Sequence, residues 1–85
     1  MDEIFELPVT YKGEDFSFPA KLLKAGYGHK FEVEIAGYPV IFELDEEERY
    51  RALIDPDLLK NSKEIEIGLL KEVAEVIDYI TGRKQ

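Results

Sequence analysis

The residues best suited to acid–base chemistry lie in the segment 26–30, which contains Tyr27, His29 and Lys30. His29 is the only histidine, and imidazole is the side chain that most often acts as a general base near neutral pH. Nucleophilic catalysis would also need an activated Ser, Cys or Thr. The chain has no Cys, and its Ser and Thr residues lie in no recognisable catalytic motif. These three residues are therefore a candidate loop site, with a simple exposed turn as the alternative. No catalytic residue is predicted, and the sequence favours a non-enzymatic protein.

The densest group of potential metal ligands is the run of four carboxylates at 45–48, and Asp55 and Asp57 lie further along the chain. Calcium needs six to eight oxygen ligands in a shaped loop, usually with a glycine at the sharp bend. Consecutive side chains diverge, and the run contains no glycine. We interpret it as a solvated turn, and we predict neither a metal nor a cofactor.

The charge balance excludes several classes of partner. Nineteen acidic residues against eleven Lys and Arg give a net charge of −8. Nucleic acids and anionic membranes bind positively charged surfaces. No apolar run approaches the length of about 18 residues needed to span a membrane, and the segment 1–3 is acidic where a signal peptide would be basic. We predict no nucleic-acid or membrane partner, and a cytoplasmic location.

Alternating hydrophobicity predicts most of the architecture. It indicates five antiparallel strands in meander order, over residues 3–11, 14–24, 30–36, 38–45 and 49–54. Turns at 12–13, 26–27, 36–37 and 46–48 then place the large apolar side chains of neighbouring strands on one face. Examples are the pairs Leu7 with Phe18, Val33 with Val40, and Phe42 with Ala52. Pro19 conflicts with this pattern, because an internal strand needs its backbone donors, and we expect a bulge or kink there.

One long helix, over 68–81, is predicted to cover the sheet. Its apolar stripe comprises Leu69, Val73, Val76, Ile77 and Ile80, and Lys71, Glu75 and Asp78 form the opposite, solvated side. Asp55 and Pro56 predict a short helical turn over 56–60, and Gly82 is the expected C-terminal stop. The 85 residues thus predict a single α+β domain of two layers, a five-stranded meander under one C-terminal helix.

The outer face of the sheet suggests the function. Alternation places Ile41 and Leu53 outward as cross-strand neighbours, with Leu23 and Pro39 nearby, among the charged residues Lys30, Glu32, Glu43 and Arg51. We expect a non-enzymatic accessory or protein-interaction module that binds an unknown protein partner or forms a weak homodimer. The alternative is a small-ligand-binding domain with its site between sheet and helix. Seven aromatic residues predicted on the inner face argue against such a cavity: Phe5, Phe16, Phe18, Phe31, Tyr38, Phe42 and Tyr50.

Overall fold

Five strands form one antiparallel sheet in the order in which they occur along the chain. They are β1 Ile4–Tyr11, β2 Glu14–Ala25, β3 Gly28–Ile35, β4 Tyr38–Leu44 and β5 Tyr50–Leu53. The computed structural model describes residues 4–25, 28–61, 63 and 65–82, with the backbone alone at 24, 25, 28, 29 and 61. The predicted core-facing pairs are present, including Leu7 with Phe18, Val33 with Val40, and Phe42 with Ala52. The predicted α+β meander with a C-terminal helix is therefore confirmed.

Two of the hairpins are closed by pairs of residues in the left-handed backbone region. Lys12 and Gly13 have φ angles of 53° and 76°, and Ala36 and Gly37 have φ angles of 54° and 83°. A two-residue turn with positive φ at both positions matches the right-handed twist of the strands on either side. Glycine adopts this conformation without steric cost, which is why it follows the side-chain-bearing residue in both turns.

Pro19 introduces no bulge into the pairing of β2 with β1, so the expected bulge is absent. The register between β1 and β2 runs unbroken from Ile4, opposite Lys21, to the hairpin turn, with Pro19 opposite Glu6. The pairing of β2 with β3 instead begins at Ala20, one residue beyond the proline. The missing N–H therefore lies at the end of that ladder. Residues 14–19 of β2 therefore pair with β1 alone.

Two helices follow the sheet, α1 Pro56–Asn61 and α2 Ile67–Ile80. The Asp55 side chain accepts a hydrogen bond from the N–H of Asp57 at 2.9 Å, so it caps α1 as its position before Pro56 predicted. At the end of α2, Gly82 has a φ of 84° and its N–H donates to the Tyr79 carbonyl at 3.1 Å. Gly82 is thus the left-handed residue that ends the helix.

The buried face of α2 is rotated from the predicted one by about 60° around the helix axis. Its buried residues are Leu69, Leu70, Val73, Ala74, Ile77 and Asp78. Ile80 is 48% exposed, whereas Asp78 is only 9% exposed, so the placement of both residues was predicted wrongly. The physical reason is a hydrogen bond that the apolar pattern does not contain. The Asp78 carboxylate accepts the backbone N–H of Tyr50, at the start of β5, at 3.0 Å.

The helix contacts the two edge strands of the sheet, β1 and β5, most extensively. Sheets of this kind are twisted, and the twist brings residues of both edge strands toward the same helix. The residues buried beneath the helix include Val33, Val40 and Phe42. Most of the inner-face aromatic residues join this core or pack against it, but Tyr38 is 42% exposed, and its assignment to the core was wrong.

Candidate functional site

The predicted loop site falls mostly outside the described part of the chain. Tyr27 lies outside the described residues, and so does the His29 side chain, although the His29 backbone belongs to β3 and pairs with Lys24. The Lys30 ammonium lies 3.6 Å from a Glu43 carboxylate oxygen on the neighbouring strand. Lys30 is thus engaged on the outer face of the sheet, and the loop site stays a prediction.

The acidic turn is organised around one of its own carboxylates. The Asp45 side chain accepts the N–H groups of Glu47 at 2.8 Å and of Arg49 at 3.0 Å. These bonds, that from Arg49 above all, hold the pKa of Asp45 below its ordinary value, because they stabilise the charged form. Within the described residues, no three acidic or histidine side chains are grouped so that they could hold a metal ion. The Asp45 carboxylate thus stabilises the backbone of the turn through these two hydrogen bonds.

The outer face of the sheet brings together only part of the predicted interface. Ile41 lies directly opposite Leu53, which is 41% exposed, and Pro39 follows two residues away on the same face of β4. Leu23 is half-buried and lies on β2, where it faces Lys30 of β3. Charged residues of β3 therefore separate Leu23 from the others. The apolar patch consists of Pro39, Ile41 and Leu53.

A cleft of about 380 Å³ lies where the β1–β2 hairpin meets the start of α2, and we call it the hairpin cleft. It opens beside the segment of β2 that pairs with β1 alone. Its apolar wall is formed by Phe16, Phe18, Ile35, Ala36 and Leu69. The rings of Phe16 and Phe18 lie 5.4 Å apart and nearly parallel, at 9°. The cleft is thus an apolar hollow with one aromatic side.

Polar groups surround the mouth of the hairpin cleft. The Tyr11 hydroxyl donates to a Glu66 carboxylate oxygen at 2.8 Å, and the Lys12 ammonium reaches the same oxygen at 3.2 Å. These two bonds hold the pKa of Glu66 below its ordinary value, and the bond to Glu66 raises the pKa values of Tyr11 and Lys12. Glu14 completes the mouth. The carboxylate of Glu66 is therefore ionised at neutral pH, with two donors in place.

Gly68 allows Tyr11 to approach the first turn of α2. A Cβ atom at position 68 would lie 2.6 Å from the Tyr11 hydroxyl oxygen, which is closer than a Cβ atom approaches any heavy atom of a distant residue in a folded protein. No local sequence pattern indicates this group, because Tyr11 and Glu66 are 55 positions apart and belong to different parts of the fold. A glycine in the first turn of an otherwise apolar helix is the one signal of a close contact there.

Comparison of the chain with protein-family models, with curated proteins and with solved structures found no match. Among the described residues, no helix is long and apolar enough to cross a membrane.

Proposed function

We propose that the protein is a non-enzymatic accessory module that binds another protein through the outer face of its sheet. The observation that carries this proposal is the cross-strand apolar pair on β4 and β5, in which Ile41 is half-buried and Leu53 is 41% exposed, beside the charged residues of the outer face. Apolar residues at the middle of an interface with charged residues at its rim are typical of protein contacts. Each side chain contributes at most about 1.5–3 kcal/mol on full burial, which the cost of association largely offsets.

A second copy of the chain is the partner that this face fits best. The whole chain carries a net charge of −8, so two copies repel each other over most orientations. The outer face of the paired parts of β2 to β5 does not share this negative charge, because its charged side chains have a net charge of zero. The three cations are Lys21, Lys30 and Arg51, and the three carboxylates are Glu32, Glu34 and Glu43. A two-fold contact through this neutral face adds no repulsion at the contact itself. The repulsion between the two whole chains remains, and together with the small apolar area it makes the dimer weak.

The proposal is tested by amide chemical shifts recorded over a concentration series. We expect the shifts of β4 and β5 to change with concentration, and Leu53→Lys to abolish the change without altering the melting temperature. The matched control is Ile80→Lys, which places the same charge at a residue of similar exposure on α2. Shifts that respond equally to both substitutions would contradict the assignment of the outer face. A wild-type protein that associates with neither itself nor a partner there would contradict the function.

The hairpin cleft favours a second function, that of a small-ligand-binding domain. Its volume of about 380 Å³ is within the range of small-molecule sites, and its position between the hairpin and α2 is where sheet and helix meet. Saturable shifts of the amides at 14–18 and 66–70 on addition of small apolar compounds would support this function. The absence of any such shift would contradict it.

A further inference from the structure

The hairpin cleft has the size and shape of a site for a single-ring molecule. Its volume of about 380 Å³ lies near the lower end of the range for ligand pockets, about 300–1,000 Å³. The stacked rings of Phe16 and Phe18 form one wall, and Phe16 is only half-buried. Leu69 of α2 also lines the cleft. A flat or narrow apolar body could pack between these side chains.

The mouth of the cleft already binds an ammonium group, which is the protein's own. The Lys12 nitrogen lies 3.2 Å from the Glu66 carboxylate and 5.3 Å from the centre of the Tyr11 ring. A carboxylate and an aromatic face are the two features that recognise organic cations. The side chain of Lys12 is 69% exposed, so water and other cations reach this position freely. Exposed ion pairs of this kind are weak and easily exchanged.

The charges around the cleft favour a cation over an anion. The mouth holds two carboxylates, Glu14 and Glu66, against the single ammonium of Lys12. If a ligand displaces Lys12 from Glu66, the carboxylate keeps a positively charged partner and the Lys12 side chain returns to solvent. An anionic ligand would instead meet two carboxylates on a chain whose net charge is −8.

We propose that the hairpin cleft is a binding site for a small organic cation, a primary ammonium carried on an aromatic or aliphatic body, which takes the place of Lys12 on Glu66. The apolar body lies against Phe16 and Phe18, and the ammonium lies between Glu66 and the ring of Tyr11. This site deepens the second function proposed above. It uses no residue of the Pro39, Ile41 and Leu53 patch, so its failure leaves the protein-binding proposal untouched.

Three probes with the same ring and different heads test the charge preference: benzylammonium, benzyl alcohol and benzoate. Each is titrated into the full chain while the amide shifts of residues 14–18 and 66–70 are followed. We expect the affinity for benzylammonium to be at least about threefold higher than that for benzyl alcohol, because one exposed charge interaction contributes about that much. Benzoate should bind most weakly. Equal binding of the three, tighter binding of benzoate, or no shift with any probe overturns the proposal.

Substitutions at the mouth test the competition with Lys12. Lys12→Asn removes the competing ammonium and suits a φ of 53°, because Asn tolerates the left-handed region better than Lys. We expect this variant to bind benzylammonium up to about fivefold more tightly, and Glu66→Gln to bind it more weakly. Lys71→Gln, on the exposed side of α2, is the control for the change in net charge. Weaker binding by Lys12→Asn, or an equal gain in Lys71→Gln, refutes the displacement of Lys12.

Discussion

The carboxylate of Asp78 decides which face of α2 is buried, and its removal tests the observed orientation of the helix. Asp78 is 9% exposed and accepts the Tyr50 N–H at 3.0 Å. A hydrogen bond to a charged group contributes about 1.5–3 kcal/mol to stability. Asp78→Ala also gains up to about 0.7 kcal/mol of helix propensity, because Asp is a poorer helix former. We therefore expect Asp78→Ala to lower the free energy of unfolding by about 1–2 kcal/mol.

The matched control for this substitution is Glu75→Ala, which removes a carboxylate from the exposed side of the same helix. It breaks no hydrogen bond to the sheet, and we expect its effect to stay within about 0.5 kcal/mol. Both variants are measured by urea unfolding with a common slope, together with the melting temperature. If Asp78→Ala is as stable as Glu75→Ala, Asp78 lies toward solvent and the described orientation of α2 is wrong.

Three further predictions follow from buried or hydrogen-bonded groups. Val73 is completely buried, so Val73→Asp places an unpaired charge in the core, and we expect calorimetry to show no cooperative transition; a native melting curve would contradict this. Gly68→Ala displaces the Tyr11 hydroxyl from Glu66, so the pKa of Tyr11, followed by ring carbon shifts, should fall toward its ordinary value; an unchanged pKa would refute the contact. The pKa of Asp45 is lower in the folded chain, so its stabilisation is present above the unfolded value and is lost as pH falls through the folded value. The stability difference between the wild type and Asp45→Ala should therefore shrink on acidification, and a constant difference would count against the turn.

The meander could be predicted because each hairpin constrains its register twice. A turn such as Ala36–Gly37 sets the pairing geometrically, and alternation independently requires Val33 and Val40 to share a face. A shift of one residue in either strand would turn its valine toward solvent. The strand bounds consequently lie within two residues of the predicted ones.

The orientation of α2 could not be predicted from hydrophobicity alone. A helical wheel of the apolar residues predicts Ile80 in the core and Asp78 at the surface. In the structure Ile80 is exposed and Asp78 is buried. The difference arises because the backbone N–H of Tyr50 needs an acceptor where the helix crosses β5. That need depends on tertiary contact between residues 28 positions apart, which no local pattern contains.

The hairpin cleft was missed for a related reason. The summed volume of the inner-face aromatic residues indicated a filled layer, but a sum does not show where two strands separate. The pairing of β2 with β3 ends beside Pro19, and the space left there is lined by Phe16 and Phe18. The proline was recognised as an obstacle to pairing. Its consequence, a cleft beside the ladder it ends, requires the three-dimensional path of both strands.

The most direct test of the protein-binding proposal is the average mass of the wild-type chain by sedimentation equilibrium, at increasing protein concentration in low and in physiological salt. Salt shortens the electrostatic range from about 30 Å at 0.01 M to about 8 Å at 0.15 M, and so weakens the repulsion between two chains of charge −8. The contact itself is apolar and neutral overall. We expect the average mass to rise above that of one chain and to rise further in physiological salt. We expect Leu53→Lys to stay monomeric at both salt concentrations. A wild-type mass that stays at one chain throughout, or that falls when salt is added, would contradict a second copy bound at this face.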